Sequence, residues 1–343
     1  MSGQGSEKNI MTKTQELNDS VFFAWTRVSR RSEQLAKFFN LIYVRYDRWG
    51  QSKFSLACSL IFNFAKTFFW VIFNRPKFIF TFQAHPFVTI AAKLGTWVTR
   101  KGIVIPDLHT AAYTDHFTGI QGVLGKWIWK KCPLILVHND ESKEFLGKTI
   151  HELKDKLYVL EDALPEFHSI NTAINSNEIK CVLISRFAPD EPIQAFLEAV
   201  SEIENCQFYV TGNYAKATFD LSKYPNDKII FTGFISDDEY LNLLQSSDMI
   251  SILTTREMTL LSGGYEALSL EKPVILSNTK TLRNYFGNSA VYTNDTSGGI
   301  RRAIKTMISE LHARQGIVLE LKKEKIDDWQ EKADHLIQLI NRL

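Results

Sequence analysis

Along this chain of 343 residues, short runs rich in β-branched and aromatic side chains alternate with segments of helical period; the alternation stops once and then restarts. "SVFFAW", "NLIYVRYD", "KFIFTFQAHP", "GIVIPDLHT" and "PLILVHND" are interleaved with "SRRSEQLAKFF", the apolar stretch Phe54 to Phe73, "FVTIAAKLG" and "VLGKWIWKKC", and "ESKEFLGKTIHEL" follows. After a polar break containing Pro165 come "KCVLISRF", "CQFYVTG", "KIIFTGFIS", "MISILTT", "KPVILSN" and "SAVYTND", again with helical segments between them. Strands that alternate with helices require crossover connections. The pattern therefore predicts an α/β chain of two doubly wound, mostly parallel sheets, each covered on both faces. The expected divisions are a flexible leader over 1–19, a Rossmann-like domain over 20–165, a linker over 166–178, a second Rossmann-like domain over 179–318 and a helical tail over 319–343.

With 45% hydrophobic and 23% charged residues, the composition is that of an ordinary globular protein with enough apolar material for two cores. Cys58, Cys132, Cys181 and Cys206 stand far apart, with no CxxC pair. They read as reduced core thiols, and the leader lacks the charged, apolar, small-residue order of a signal peptide, so a cytoplasmic location is expected. Up to Ile170 the chain holds 22 Lys/Arg against 15 Asp/Glu, and beyond it 18 against 23. A basic surplus of that size suits an anionic membrane surface or a phosphate, and no nucleic acid is expected as a partner.

Phe54 to Phe73 is long enough to cross a bilayer, but Asn63 and Lys66 in its middle are costly there, and the alternation needs a crossover helix at this place. Either a buried helix or one exposed to a membrane surface fits. Trp70, Arg75, Lys77, Trp127, Trp129, Lys130 and Lys131 would suit the second.

In doubly wound sheets ligands bind beyond the carboxyl ends of the strands, so strand-to-helix loops carry the chemistry. No loop has the GxxxxGK[ST] or GxGxxG pattern. "TTREMTLLSGGYEAL" can still bind a phosphate, because amides at a helix start and the helix dipole attract anions and glycine admits close approach. On that reading Ser262, Gly263 and Gly264 meet a diphosphate and Glu266 accepts from a pair of vicinal hydroxyls, as on a ribose. A solvated glutamate beside tolerant loop glycines is the plainer alternative. "SDD", at Ser236 to Asp238, reads as a helix cap rather than a metal pair, and neither a metal nor another cofactor is expected.

The element order resembles a GT-B glycosyltransferase, two Rossmann-like domains facing each other across a cleft. The second half resembles the large retaining glycosyltransferase family 4, also called group 1. The residues that carry the resemblance are "LISRFAPDEPIQAFLEAV", "TGFISDDEYLNLLQSSDMISI" and "EMTLLSGGYEALSLEKPVILSN", in that order. The resemblance implies that Arg186, Gly263 and Gly264 contact the donor diphosphate, that Glu266 holds the ribose, that Gly233, Phe234 and Ile235 flank the base, and that Glu257 contacts the transferred sugar. Eight residues rather than the family's seven separate Glu257 from Glu266, and the lysine that usually follows the arginine is replaced by "APDEP", which leaves its load to Arg186 and the helix amides, or to Lys216 or Lys280.

In the first half "RPKFIFTFQAHP", "GIVIPDLHT" and "LILVHND" resemble GT-B enzymes that extend lipid-linked saccharides. His109 is the candidate at the reaction centre and Asp107 its alternative, with Asp115 and His116 as a further dyad and Arg30 or Arg31 toward an acceptor phosphate; His138 and Asn139 read as caps. The implied function is transfer of a sugar from a nucleotide-diphosphate donor to an acceptor hydroxyl, on a saccharide or lipid-linked acceptor in cell-surface polysaccharide synthesis. Two alternatives remain: a sugar-nucleotide epimerase, and a non-catalytic partner subunit of the same fold.

Overall fold

The computed structural model describes residues 17–27, 29–47, 49, 52–83, 85–114, 117–167, 178–224 and 227–343. The expected linker and leader fall almost wholly outside these residues, as do Asp115 and His116. The chain forms two compact units, one reaching Asp162 and including Trp329–Leu343, the other Ala163–Asp328.

In the first unit the elements run β1 (Val21–Ala24), α1 (Arg30–Phe38), β2 (Ile42–Arg45), α2 (Lys53–Asn74), β3 (Phe78–Gln83), α3 (Phe87–Thr99), β4 (Ile103–Leu108), α4 (Gly119–Lys130), β5 (Ile135–Val137), α5 (Asp140–Thr149) and β6 (Leu157–Val159). The six strands are parallel, in the order β2-β1-β3-β4-β5-β6. Strands covered on both faces need apolar residues at consecutive positions, and "VFFA" in β1 and "ILV" in β5 are buried throughout. Helix starts follow the capping rule: Ser29, Ser52 and Asn139 accept from the third residue on, at α1, α2 and α5.

The second unit repeats the plan with β7 (Ile179–Leu183), α6 (Ile193–Val200), β8 (Cys206–Thr211), β9 (Ile229–Gly233), α7 (Asp237–Gln245), β10 (Met249–Ile252), α8 (Ser262–Ser269), β11 (Val274–Ser277), α9 (Lys280–Phe286), β12 (Ala290–Thr293) and α10 (Ser297–Asn341). Its six strands are also parallel, ordered β12-β11-β10-β7-β8-β9. The segment 319–343 is the distal part of α10 rather than a separate element, and from Trp329 onward it belongs to the first unit. There Trp329 packs edge-on against Phe38 at 4.7 Å and donates its indole N–H to the Glu161 carbonyl at 3.0 Å.

Two expectations change. Cys132, Cys181 and Cys206 are buried thiols, whereas Cys58 lies exposed on α2. Trp70 and Trp129 face inward, Trp70 edge-on to Phe23 at 5.3 Å and Trp129 only 1% exposed.

Candidate active site

β7 and β10 are hydrogen-bonded neighbours whose crossovers leave in opposite directions, which makes their carboxyl ends the switch point of the second sheet. The loop after β7 is held by two acids. Glu191 Oε2 accepts from the Ser185 hydroxyl at 2.9 Å, the Arg186 amide at 2.9 Å and the Ala188 amide at 3.2 Å. Asp190 reaches the loop after β10, its Oδ2 accepting from the Thr254 hydroxyl at 2.9 Å and its carbonyl from the Thr255 amide at 2.8 Å. The Arg186 guanidinium is left 74% exposed, its Nε 3.6 Å from Glu191 Oε1, so it can turn to an incoming anion. In the sequence "APDEP" stands only where a lysine is missing; in the fold its Glu191 holds the loop after β7 and its Asp190 ties that loop to the one after β10.

Ser262 is the first residue of α8 and is exposed, while Leu261 before it has no capping side chain. The first-turn amides of Ser262 and Gly263 precede any helical acceptor. A Cβ on Gly263 would lie 2.9 Å from Ile184 Cδ1, and one on Gly264 2.9 Å from Phe286 Cζ. The glycines therefore let α8 pack directly onto the end of β7 and onto α9, a requirement of packing that the phosphate reading had not included.

Glu266 sits a full turn into α8, 5% exposed, and its Oε2 accepts from the Tyr240 hydroxyl at 2.6 Å. Tyr240 comes from α7, whose start is fixed by a reciprocal capping box between Ser236 and Glu239. No motif marks Tyr240 in the sequence; only the fold brings it to Glu266. Tyr240→Phe removes one hydrogen bond to the carboxylate and should weaken donor binding by about 0.5–1.5 kcal/mol, read by calorimetric titration with nucleotide.

Gly233 ends β9 at φ +66°, and Phe234 after it is 84% exposed. Glu257 is exposed and accepts from the Lys280 amide at 3.3 Å, so it caps α9 as well as bordering the loop. Lys216 and Lys280 are both exposed.

In the first unit, Asp107 of β4 is fully buried and bound by Arg31 of α1, with Arg31 Nε 3.0 and 2.9 Å from its two oxygens and Nη2 2.8 Å from Oδ1. Arg31 Nη1 donates to Asp162 at 2.8 Å. Burial alone would raise the Asp107 pKa, but the charge of Arg31 and the hydrogen bonds around the carboxylate outweigh it and hold the group well below the usual carboxylate range. Asp107 thus stays a carboxylate that orients Arg31, with His138 Nε2 3.7 Å away, rather than a group that takes up a proton. Arg31 faces inward, not toward an acceptor phosphate, while Arg30 is exposed.

His109 follows β4, accepts the Ala111 amide on Nδ1 at 3.3 Å and so caps a 3-10 turn, and lies edge-on to Phe82 and His138 at 5.6 and 5.9 Å. Its side keeps solvent contact, yet the crowded surroundings first, and His138 second, move its pKa below the ordinary histidine value. The neutral ring is then the form present at neutral pH. If His109 acts at the reaction centre, kcat/KM should stay level as pH drops through about 6.5 and fall only in stronger acid. A midpoint at or above that value, abolished in His109→Gln, contradicts the assignment.

A pocket of about 220 Å³ opens near the carboxyl ends of β1 and β3, lined by Trp25, Ser59, Asn63, His85, Phe87 and Gln121 among others. Among the described residues no three or more His, Cys, Asp or Glu gather as metal ligands.

Residues 166–317 match the model of the family described as glycosyl transferases group 1. The fold is similar to that of Anabaena HepE in complex with UDP, at TM-score 0.71 and 11% identity, covering 95% of this chain and 100% of that one. It is likewise similar to sucrose-phosphate synthase from Thermosynechococcus elongatus, at TM-score 0.70 and 13% identity over 96% and 98% of the two chains. A glycosyltransferase from Rickettsia africae follows at TM-score 0.63 and 12% identity, over 94% and 89%. No curated protein matches the chain in sequence. Two parallel six-stranded sheets with interleaved helices and these likenesses define the GT-B fold. The group 1 glycosyl transferase match thus falls on the second unit, within a chain that has the GT-B fold throughout.

Proposed function

We propose that this chain is a glycosyltransferase that moves a sugar from a nucleotide-diphosphate donor, bound by the second unit, to an acceptor hydroxyl. The observation that carries the donor side is the start of α8 at the switch point: first-turn amides at Ser262 and Gly263, with the buried, Tyr240-bound carboxylate of Glu266 one turn further on. An anion is favoured at the amides and the helix dipole, and a hydroxyl pair at Glu266. A nucleoside diphosphate offers both. HepE has been captured with UDP and with UDP-glucose, which supports a uridine nucleotide as the first donor to try.

In the reaction the bond from the sugar C1 to the diphosphate oxygen breaks and a bond from C1 to the acceptor oxygen forms, while the acceptor proton leaves to a base or to the departing phosphate. Arg186 and the amides of α8 stabilise the charge that grows on the diphosphate, in place of a metal, and Phe234 at the end of β9 lies against the base. Glu257 borders the transferred sugar, and His109 serves the acceptor hydroxyl or the sugar as a neutral imidazole.

The acceptor in this proposal is a lipid-linked saccharide used in cell-surface polysaccharide synthesis, with the enzyme peripheral at the cytoplasmic face of the membrane. The apolar outer side of α2 and the basic balance of the first half support it. A thermal-shift panel of UDP, GDP and ADP tests the donor side, because a ligand bound only by the folded state raises its apparent stability. One nucleotide should stabilise the protein well above the others, and a flat response to all three would contradict the proposal.

A further inference from the structure

α2 is built inside out. Its polar residues Ser59, Asn63 and Thr67 follow one another at four-residue spacing and are buried with Val71. They are tied to the domain: Thr67 Oγ1 accepts from the Trp25 indole at 3.0 Å, Ser59 Oγ from the Trp49 amide at 3.2 Å, and Asn63 Nδ2 donates to the Asp47 carbonyl at 3.3 Å. The other side of the helix carries Phe54, Ile61, Phe69 and Phe73, at 80%, 71%, 52% and 79% exposure. In a water-bathed helix the apolar side faces the core, so this reversal calls for a second apolar medium.

The exposed surface extends beyond one helix. Right-handed crossovers set α2, α3 and α4 on the same face of the first sheet. α2 packs on α3 closely enough that a Cβ on Gly95 would lie 2.8 Å from Val71, and α3 meets α4 through the edge-on pair Trp97 and Trp127 at 5.9 Å. Trp97 and Val98 on α3 and Ile120, Val123 and Trp127 on α4 are exposed as well.

Charge identifies the occupant. Between Asp47 and Asp107 the sequence has no Asp or Glu and eight Lys or Arg, and α4 with the residue after it adds Lys126, Lys130 and Lys131 without an acid. Lys130 is paired with Glu152 at 2.8 Å, and the remaining lysines and arginines keep the surplus positive. Exposed aromatics interspersed with such a surplus match an anionic lipid surface; a protein partner with an apolar face would not require the charge bias.

We propose that the α2–α3–α4 face docks on an anionic bilayer, its aromatic and aliphatic side chains seated at the headgroup boundary and its lysines among the phosphates. The helix lies in the interface and does not span, because leaving the domain would strip the hydrogen bonds from Ser59, Asn63 and Thr67. α2 also supplies Leu56, Ser59, Leu60 and Asn63 to the wall of the 220 Å³ pocket, so docking would bring that pocket beside lipid. The inference rests on the proposed function only for why a membrane is wanted.

The test is co-sedimentation of the full chain with vesicles of pure phosphatidylglycerol and of pure phosphatidylcholine, using wild type and an Ile61→Ser/Phe69→Ser/Phe73→Ser variant. Wild type should pellet with phosphatidylglycerol far more than with phosphatidylcholine, and the variant should lose at least about tenfold of that binding. Equal pelleting of variant and wild type overturns the proposal. So does a wild-type dimer in analytical ultracentrifugation that the variant converts to monomer, since a second copy would then cover the face. The nucleotide thermal shift is read on the same samples. A shift kept without vesicle binding removes the docking and leaves the donor reading, and vesicle binding without any shift does the reverse.

Discussion

Arg31→Met should destabilise the first unit by about 3–5 kcal/mol. Arg31 and Asp107 are 5% and 0% exposed, and the guanidinium supplies three of the contacts that keep the Asp107 carboxylate charged away from water. Removing one partner strands the other charge in the core, which costs more than the pair itself contributes. Urea unfolding should show the loss, and Arg31→Met/Asp107→Leu should recover most of it, because apolar side chains of similar volume replace both charges.

The pH dependence has a definite sign. In the wild type Asp107 titrates well below the ordinary carboxylate value of about 3.9, so its stabilising contribution is present above that pH and is lost only as pH falls through the lowered pKa. In Arg31→Met, burial without a counter-ion raises the Asp107 pKa instead. The gap between wild type and variant should therefore narrow as the solution is made acidic. A gap that widens, or a variant as stable as wild type at neutral pH, contradicts the role given to the pair.

Gly212→Ala should cost about 2–6 kcal/mol and reduce donor binding with it. Gly212 sits at φ +93°, where an L-residue is strained by about 1–3 kcal/mol. A Cβ there would also lie 2.2 Å from the Ser185 carbonyl oxygen and 3.3 Å from the Arg186 Cα, and relieving that overlap costs a further 1–3 kcal/mol or so. Only backbone can give way, and it is the backbone that presents Arg186. Nucleotide titration and urea unfolding should therefore both register the change. Loss of stability with unchanged nucleotide affinity would separate Arg186 from the donor.

The architecture was legible because parallel strands buried on both faces leave unbroken apolar runs, and helices between them leave a 3.6-residue period. "VFFA", "ILV" and "VILS" could be read as strands from composition alone. The SGG segment was also legible, but its reason was only half so. Glycine for close approach is visible in sequence; that Ile184 and Phe286 are what approach Gly263 and Gly264 depends on packing between segments about 80 and 20 residues distant. Long-range pairs were missed for the same cause. Arg31 with Asp107 spans 76 positions and Tyr240 with Glu266 spans 26, and neither spacing leaves a periodic trace. α2 misled in a different way: its apolar length was plain, but which side faced the sheet turned on Ser59, Asn63 and Thr67, whose stripe has meaning only once Trp25 and Asp47 are placed beside it.

Calorimetric titration of UDP into wild type and Glu266→Ala tests the donor site most directly. Wild type should bind, and the variant should bind about 1–3 kcal/mol more weakly, roughly 5- to 150-fold in Kd, because a ribose hydroxyl pair loses its acceptor. Equal affinity in the two proteins, with the variant's fold intact by circular dichroism, would contradict the placement of the nucleotide at the start of α8.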